Sequence, residues 1–249
     1  MGRFFKNSRF KSVFKKPGLF GWIRWIWTIC LFLLVMDIAY IMSIWPKWEQ
    51  YAMGPIPESN FIASYQKRYQ AALSHNNQKN LPPLRWNPVS IDSIPDSMTR
   101  ALVVAEDARF FSHNGFDPQA FKEVMEYNLS KKRFIFGGST ISQQVVKNLF
   151  LSPSRNPLRK WHELIITMGM EQNLSKRRIL ELYLNVAEFG RGIYGVNAAS
   201  KYYWARSISK ISQIQAIELA ATLPAPVNHN PKTRSKFFLN RVRKIQGYF

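Results

Sequence analysis

The stretch VVAEDARFFSHNGFD, residues 103–117, ends an apolar run in two adjacent carboxylates, Glu106 and Asp107. Glu106 lies four residues after Leu102 and eight after Met98, at the edge of the apolar face these residues make on a helix. Asp107 is turned about 100° away from it. A carboxylate beside apolar surface loses solvation of its charged form, which raises its pKa and suits it to proton transfer near neutral pH. The same spacing also fits a helix-end acid paired with Arg100 or Arg109, and spacing does not separate the two readings.

A second stretch, FGGSTISQQVVKNLF (136–150), runs Gly137 and Gly138 into Ser139 and Thr140 ahead of a helix. Free backbone N–H groups and the positive end of the helix dipole suit such a place to an anion, with Lys147 two turns inside. It lacks the P-loop pattern, and an ordinary loop with a capped helix fits equally well. In RKWHELI, Arg159, Lys160 and Glu163 share one helical face, which by itself reads as a surface ion-pair stripe. Two more carboxylates, Glu181 and Glu188, flank LYLNVA ahead of Gly190, Gly192 and Gly195. Glycines that dense indicate a tight loop or close backbone approach, with structural roles for both acids.

The elements that must carry these residues are helices. Ile62, Tyr65, Tyr69 and Leu73 have helical spacing, as do Met98, Ala101, Leu102 and Ala105. Asp117 caps a helix that has Pro118 in its first turn and leads to Phe121, Val124 and Met125. Thr140 with Gln143 reads as a capping box. Pro157 starts a helix whose apolar side is Trp161, Leu164 and Met168. Ser175 caps another, Ser212 with Gln215 opens one that ends before LPAP, and Phe238, Val242 and Ile245 mark a last one. No period-2 run is long enough to predict a strand, and there is no internal repeat.

Composition bounds the partners. The chain has 249 residues, 46% of them hydrophobic, enough for one sizeable core. Lys and Arg outnumber Asp and Glu 35 to 15, a net charge of +20 that points to a polyanion: nucleic acid, an anionic membrane surface or a phosphorylated substrate. Cys30 is the only cysteine and the four histidines stand far apart, so neither a disulfide nor a His/Cys metal site is expected.

Residues 25–45, WIWTICLFLLVMDIAYIMSIW, are apolar over the roughly 20 residues needed to cross about 30 Å of hydrocarbon. Trp22, Trp25 and Trp27 flank one end, Trp45 and Trp48 the other, as interfacial belts do. Arg3, Lys6, Arg9, Lys11, Lys15, Lys16 and Arg24 precede the span, which places the N-terminus in the cytoplasm and the rest outside. The alternative is a cleaved signal peptide, although the run is long for one and no clear cleavage site follows. Asp37 is costly inside a span, and is read as protonated or facing a partner helix.

Together these segments resemble the peptidoglycan glycosyltransferases. EDARFFSHNGFD is similar to the first motif of that family, GGSTISQQVVKNLF to the second, and RKWHE, SKRRILELYLN and GIYGVNAAS to the following blocks in order; LPAPVNHNP resembles the closing segment. The resemblance covers about residues 85–232 and is nearest to the monofunctional members, because no room remains for a transpeptidase domain and SISK and SYQK lack the partner motifs of one. It implies a mainly α, lysozyme-like fold with a membrane-proximal jaw lobe, preceded by one transmembrane helix. The organisation expected is a basic cytoplasmic segment (1–24), the span (25–45), a linker or membrane-proximal segment (46–74) and the catalytic domain (75–249), in a single pass of the bacterial inner membrane with that domain periplasmic.

The resemblance also implies the chemistry: polymerisation of lipid II into β-1,4-linked glycan with release of undecaprenyl diphosphate and inversion at the anomeric carbon. Glu106 is then the general base and Glu163 the second catalytic glutamate. Ser139, Thr140, Gln144, Lys147, Asn148, Arg159 and Lys160 face the pyrophosphate. Asp107, Phe110, His113, Gly137 and Gly138 hold the motifs in shape. The expected partners are lipid II, the growing strand and the membrane, with no nucleic acid. No cofactor is required and no metal ligand set is evident, although the pyrophosphate leaves room for a divalent cation. The departures from the family, Trp204 and Ala205 in KYYWARS, are peripheral. Two rival readings are a glycan-cleaving enzyme on the same fold, with Glu106 as general acid, and a non-catalytic, membrane-anchored scaffold for anionic lipid.

Overall fold

The computed structural model describes residues 18–74, 81–132, 137–152 and 157–249. The basic residues Arg3 to Lys16, and the expected boundary at residue 75, lie outside them. The chain divides into two compact units, Met1–Trp45 and Pro46–Phe249.

The first unit contains helix α1 (Leu19–Ser43). Its stretch Phe20–Ser43 is long and apolar enough to cross a membrane, and none of it is buried within the protein.

The second unit is built mainly of helices: α2 (Glu49–Ala52), α3 (Asn60–Ser74), α4 (Asp96–Glu106), α5 (Pro118–Ser130), α6 (Ile141–Phe150), α7 (Pro157–Asn173), α8 (Lys176–Val186), α9 (Val196–Trp204), α10 (Gln213–Thr222) and α11 (Lys236–Gln246). Helix α6 packs between α7 and α8, and α10 packs on α4 and α11. Ile141, Val145 and Val146 of α6, Ile179 and Leu182 of α8, Met98 and Leu102 of α4, and Leu219 and Ala220 of α10 are wholly buried there.

Local signals set many helix starts. Asp117 accepts the Ala120 N–H (2.8 Å), Ser175 that of Arg178 (3.2 Å), and Ser212 and Gln215 complete a capping box. At Thr140 only half of the expected box forms. The hydroxyl accepts the Gln143 N–H (3.2 Å), but the Gln143 side chain accepts from Lys160 instead (2.9 Å). Helix α7 departs further from expectation. Trp161 and Met168 are exposed, and the buried side carries His162, Glu163, Ile166, Thr167 and Met170. The apolar pattern misled because this face buries charge and hydroxyl groups that have partners, so hydrophobicity does not mark it.

Three short strands contradict the expectation of none. They are β1 (Arg85–Trp86), β2 (Glu188–Gly190) and β3 (Ile193–Tyr194), in the order β1-β3-β2, with β1 parallel and β2 antiparallel to β3. At two or three residues each, none can show a period. Glycine makes the hairpin turn and the exit from it: Gly192 turns with φ +72° against Tyr65, and Gly195, which caps α9, has φ +79° with its Cβ position 2.8 Å from the Asn185 carbonyl. Helix α8 is tied down by polar groups. Glu181 accepts from Arg178 (2.6 Å) and the Ile91 N–H (2.9 Å), and Asn185 bonds Val89 on both sides of its amide. Glu181 is thus structural.

Candidate active site

Helix α4 ends at Glu106, and the chain breaks away at Asp107, where ψ is 76°. Neither expected arginine pairs with Glu106. Arg100 donates to the Tyr248 carbonyl (2.8 Å), and Arg109 binds Asp117 (2.7 Å). The Glu106 carboxylate instead accepts from Arg241 Nη2 at Oε1 (2.6 Å) and from Gln144 Nε2 at Oε2 (3.0 Å). Gln144 is fixed in turn by the Tyr183 hydroxyl, which donates to its Oε1 (2.8 Å). Burial pushes the Glu106 carboxyl above the usual range, and Arg241, Gln144 and Lys147 pull against it without cancelling it.

Asp107 does separate work. Its buried carboxylate accepts the Ile141 N–H (3.0 Å), the first of α6, and receives His113 Nε2 at 3.0 Å. His113 Nδ1 accepts the Gly115 N–H (3.1 Å), so Nε2 carries the ring proton and donates it to Asp107. Phe110 is wholly buried beside His113. Gly115, at φ +90°, leaves no room for a Cβ because Thr167 and Glu171 lie against it. The Thr140 hydroxyl donates to the Gly115 carbonyl (2.7 Å). The first block and the start of α6 are therefore one hydrogen-bonded assembly, with Glu106 at its edge. Asp107, His113 and Asp117 also form the one metal-like cluster found among the described residues. Their ligand atoms are occupied: Asp117 by Arg109 and Ala120, Asp107 by Ile141 and His113.

The second glutamate has other partners. Glu163 accepts from Arg159 (2.9 Å) at one oxygen and from Lys160 at the other. Lys160 also donates to Ser139 (3.0 Å) and to Gln143 (2.9 Å), which joins the Gly-Gly loop to α7. Glu163 is almost completely buried, so the surface-stripe reading does not hold. Lys147 lies within electrostatic reach of both glutamates. Burial lowers its pKa, Glu163 and Glu106 oppose that, and Arg159 and Lys160 add to it. Lys147, Arg159, Lys160 and Arg241 set against Glu106 and Glu163 leave an excess of two positive charges.

Two cavities meet this assembly. One, of about 270 Å³, is lined by Glu106, Asp107, Arg109, Gly137, Gly138, Ser139 and Thr140 among others. The other, about 160 Å³, is lined by Gln144, Lys147, Asn148, Tyr183, Glu188 and Tyr194. A larger cavity of about 470 Å³, beside Arg100, Phe111 and Phe249, contains none of the site residues. Packing does not demand the two loop glycines: a Cβ at Gly137 meets nothing, and one at Gly138 meets Phe121 at 3.6 Å. Both line the first cavity together with Glu106.

A family model described as transglycosylase matches residues 76–247. The chain belongs to the transglycosylase family. It is 40% identical over 227 residues to the biosynthetic peptidoglycan transglycosylase of Nitrosospira multiformis, covering 90% of this chain and 95% of that one. It is 46% identical over 165 residues to that of Thiobacillus denitrificans, covering 66% and 71%. The mainly helical fold of the second unit is the lysozyme-like one of this transglycosylase family.

The fold of the transglycosylase chain thus gathers Glu106, Gln144, Lys147, Arg159, Lys160, Glu163 and Ser139 in one network, with Asn148 on the wall of the second cavity. Thr140 lines the first cavity, but its hydroxyl serves the Gly115 carbonyl and the α6 cap. Three members escaped the sequence reading: Arg241, Tyr183 and Gln143. Gln143 had a visible signal, as one of two adjacent glutamines. Arg241 had a weak one, an arginine among Phe238, Val242 and Ile245 at helical spacing.

Proposed function

We propose that this transglycosylase polymerises lipid II into β-1,4-linked glycan strands outside the plasma membrane. The observation that carries the proposal is Glu106: a carboxylate raised in pKa by burial and held by two side chains at the edge of a cavity shared with the Gly137–Thr140 loop. Glu106 removes the proton from the acceptor sugar's 4-hydroxyl. That oxygen attacks the anomeric carbon of the donor, the bond to the diphosphate breaks, and undecaprenyl diphosphate leaves with the electron pair. The leaving group carries the developing charge, and the cations Lys147, Arg159 and Lys160 suit it. Glu163 holds two of those cations in place. No cofactor enters this scheme.

The length and apolarity of α1 support a single-pass anchor, the basic residues that precede it in the sequence support an N-terminus in the cytoplasm, and exposed Phe121, Leu129, Leu158 and Trp161 on α5 and α7 support a membrane-facing jaw. Cleavage of glycan is the weaker reading. A glycosidase works with two carboxylates across the scissile bond, whereas Glu163 is closed off by Arg159 and Lys160. Purified protein incubated with lipid II, and separately with preformed glycan, tests this. Lengthening strands are expected in the first and no shortening in the second; the reverse pattern rejects synthesis.

A further inference from the structure

Arg241 stands where a core residue is expected. Phe238, Val242 and Ile245 form the buried stripe of α11, and Arg241 completes its i, i+3, i+4, i+7 spacing. The same Nη2 donates to the Ala105 carbonyl (3.0 Å) and to Glu106 Oε1 (2.6 Å). Its Nε is buried with no acceptor among the described residues. Buried donors are normally paired, so a charged side chain with an unmet donor is poorly explained as a device for stability. The ends of the Glu106 carboxylate are treated differently. Oε2 meets the neutral amide of Gln144, and Oε1 meets the charge of Arg241.

We propose that Arg241 is a positioning residue of the active site, which fixes the Glu106 carboxylate through Oε1 and holds it as the anion that can accept a proton. The C-terminal helix thereby becomes part of the catalytic apparatus. The inference rests on Glu106 being the base. The charged or titratable groups facing Glu106 are Arg241 from α11, Lys147 from α6, Tyr183 from α8, and Asp107 next to it in the chain. Arg241 alone of these is in hydrogen-bond contact with the carboxylate. Tyr183 stays neutral, because burial first and Glu106 second hold its phenol well above the usual range. The competing role is structural: a cation at the C-terminal end of α4 also satisfies the helix dipole, and that role would not change the ionisation of Glu106.

The test follows lipid II polymerisation by the full chain from pH 5 to 9, with thermal unfolding of every variant. In Arg241→Gln, burial of Glu106 is no longer opposed by its nearest charge. The acidic limb of the kcat profile should move up by roughly one to three pH units, with KM changed by less than about threefold. Arg241→Lys keeps the charge and should return the limb to within about half a unit of wild type. A lower rate in Arg241→Gln with an unmoved limb overturns the inference, as does loss of its cooperative thermal transition, which would assign Arg241 to the stability of the fold. Glu106→Gln, run alongside, separates the two readings. Full activity there removes Glu106 as the base, whereas inactivity there with an unmoved limb in Arg241→Gln removes only the role of Arg241.

Discussion

Glu106 and Glu163 are both shielded from water, with side chains 12% and 3% exposed, yet their surroundings differ. Glu163 meets a cation at each oxygen, Arg159 and Lys160. Glu106 meets one cation and one neutral amide, and burial still outweighs them in setting its pKa. A carboxylate neutralised on both oxygens is a poor proton acceptor and a good anchor. One under-compensated beside a cavity is the reverse. On the proposed function, two residues of one type, joined through α6 and Lys147, divide into a base and a holder of cations.

This contrast can be broken by substitution. The largest effect is expected from Glu106→Gln, which keeps the size of the side chain and one of its two acceptor positions but cannot take a proton: polymerisation should fall by roughly 10²–10⁴-fold. Lys147→Met removes the charge both glutamates share and a candidate stabiliser of the leaving diphosphate. A loss of about 10²-fold in kcat, measured under saturating lipid II, is expected. Glu163→Gln should do less. Arg159 and Lys160 have side chains 22% and 44% exposed and can turn to water when released, so about a tenfold loss in kcat/KM is expected, with the pH profile unmoved. An equal loss in Glu163→Gln and Glu106→Gln would erase the division between them.

The wild-type pH profile sharpens it. Because the pKa of Glu106 is raised, its active anion is present above that pKa and lost as pH falls through it. The acidic limb should therefore lie above the range of a free glutamate and disappear in Glu106→Gln. The smallest effect belongs to Thr140. Thr140→Ala removes a helix cap and the bond to the Gly115 carbonyl, and should destabilise the protein by about 1 kcal/mol, or a few degrees in Tm. Thr140→Ser should recover most of it.

What the sequence shows divides along the same line. Asp117, Ser175, Ser212 and Thr140 were legible as caps because each bonds an amide three residues on. The contents of the site were legible block by block, since α4, α6 and α7 each carry their share on one local stretch. The partners of Glu106 were not. Arg241 is 135 residues away and Gln144 is 38, and no spacing rule reaches across those distances. The inward turn of Glu163 was hidden as well, because Trp161 and Met168, the side chains that suggested the buried face of α7, point outward. The β2–β3 hairpin had no period to show, only the glycines that Tyr65 and the Asn185 carbonyl require.

On the proposed function, Glu106 performs the proton transfer and does not merely help hold substrate. The most direct measurement separates these in one protein: binding of lipid II to Glu106→Gln, and release of undecaprenyl diphosphate by the same preparation. Binding within about threefold of wild type is expected, with release slower by roughly 10²–10⁴-fold. Release within tenfold of the wild-type rate, with binding intact, would contradict it.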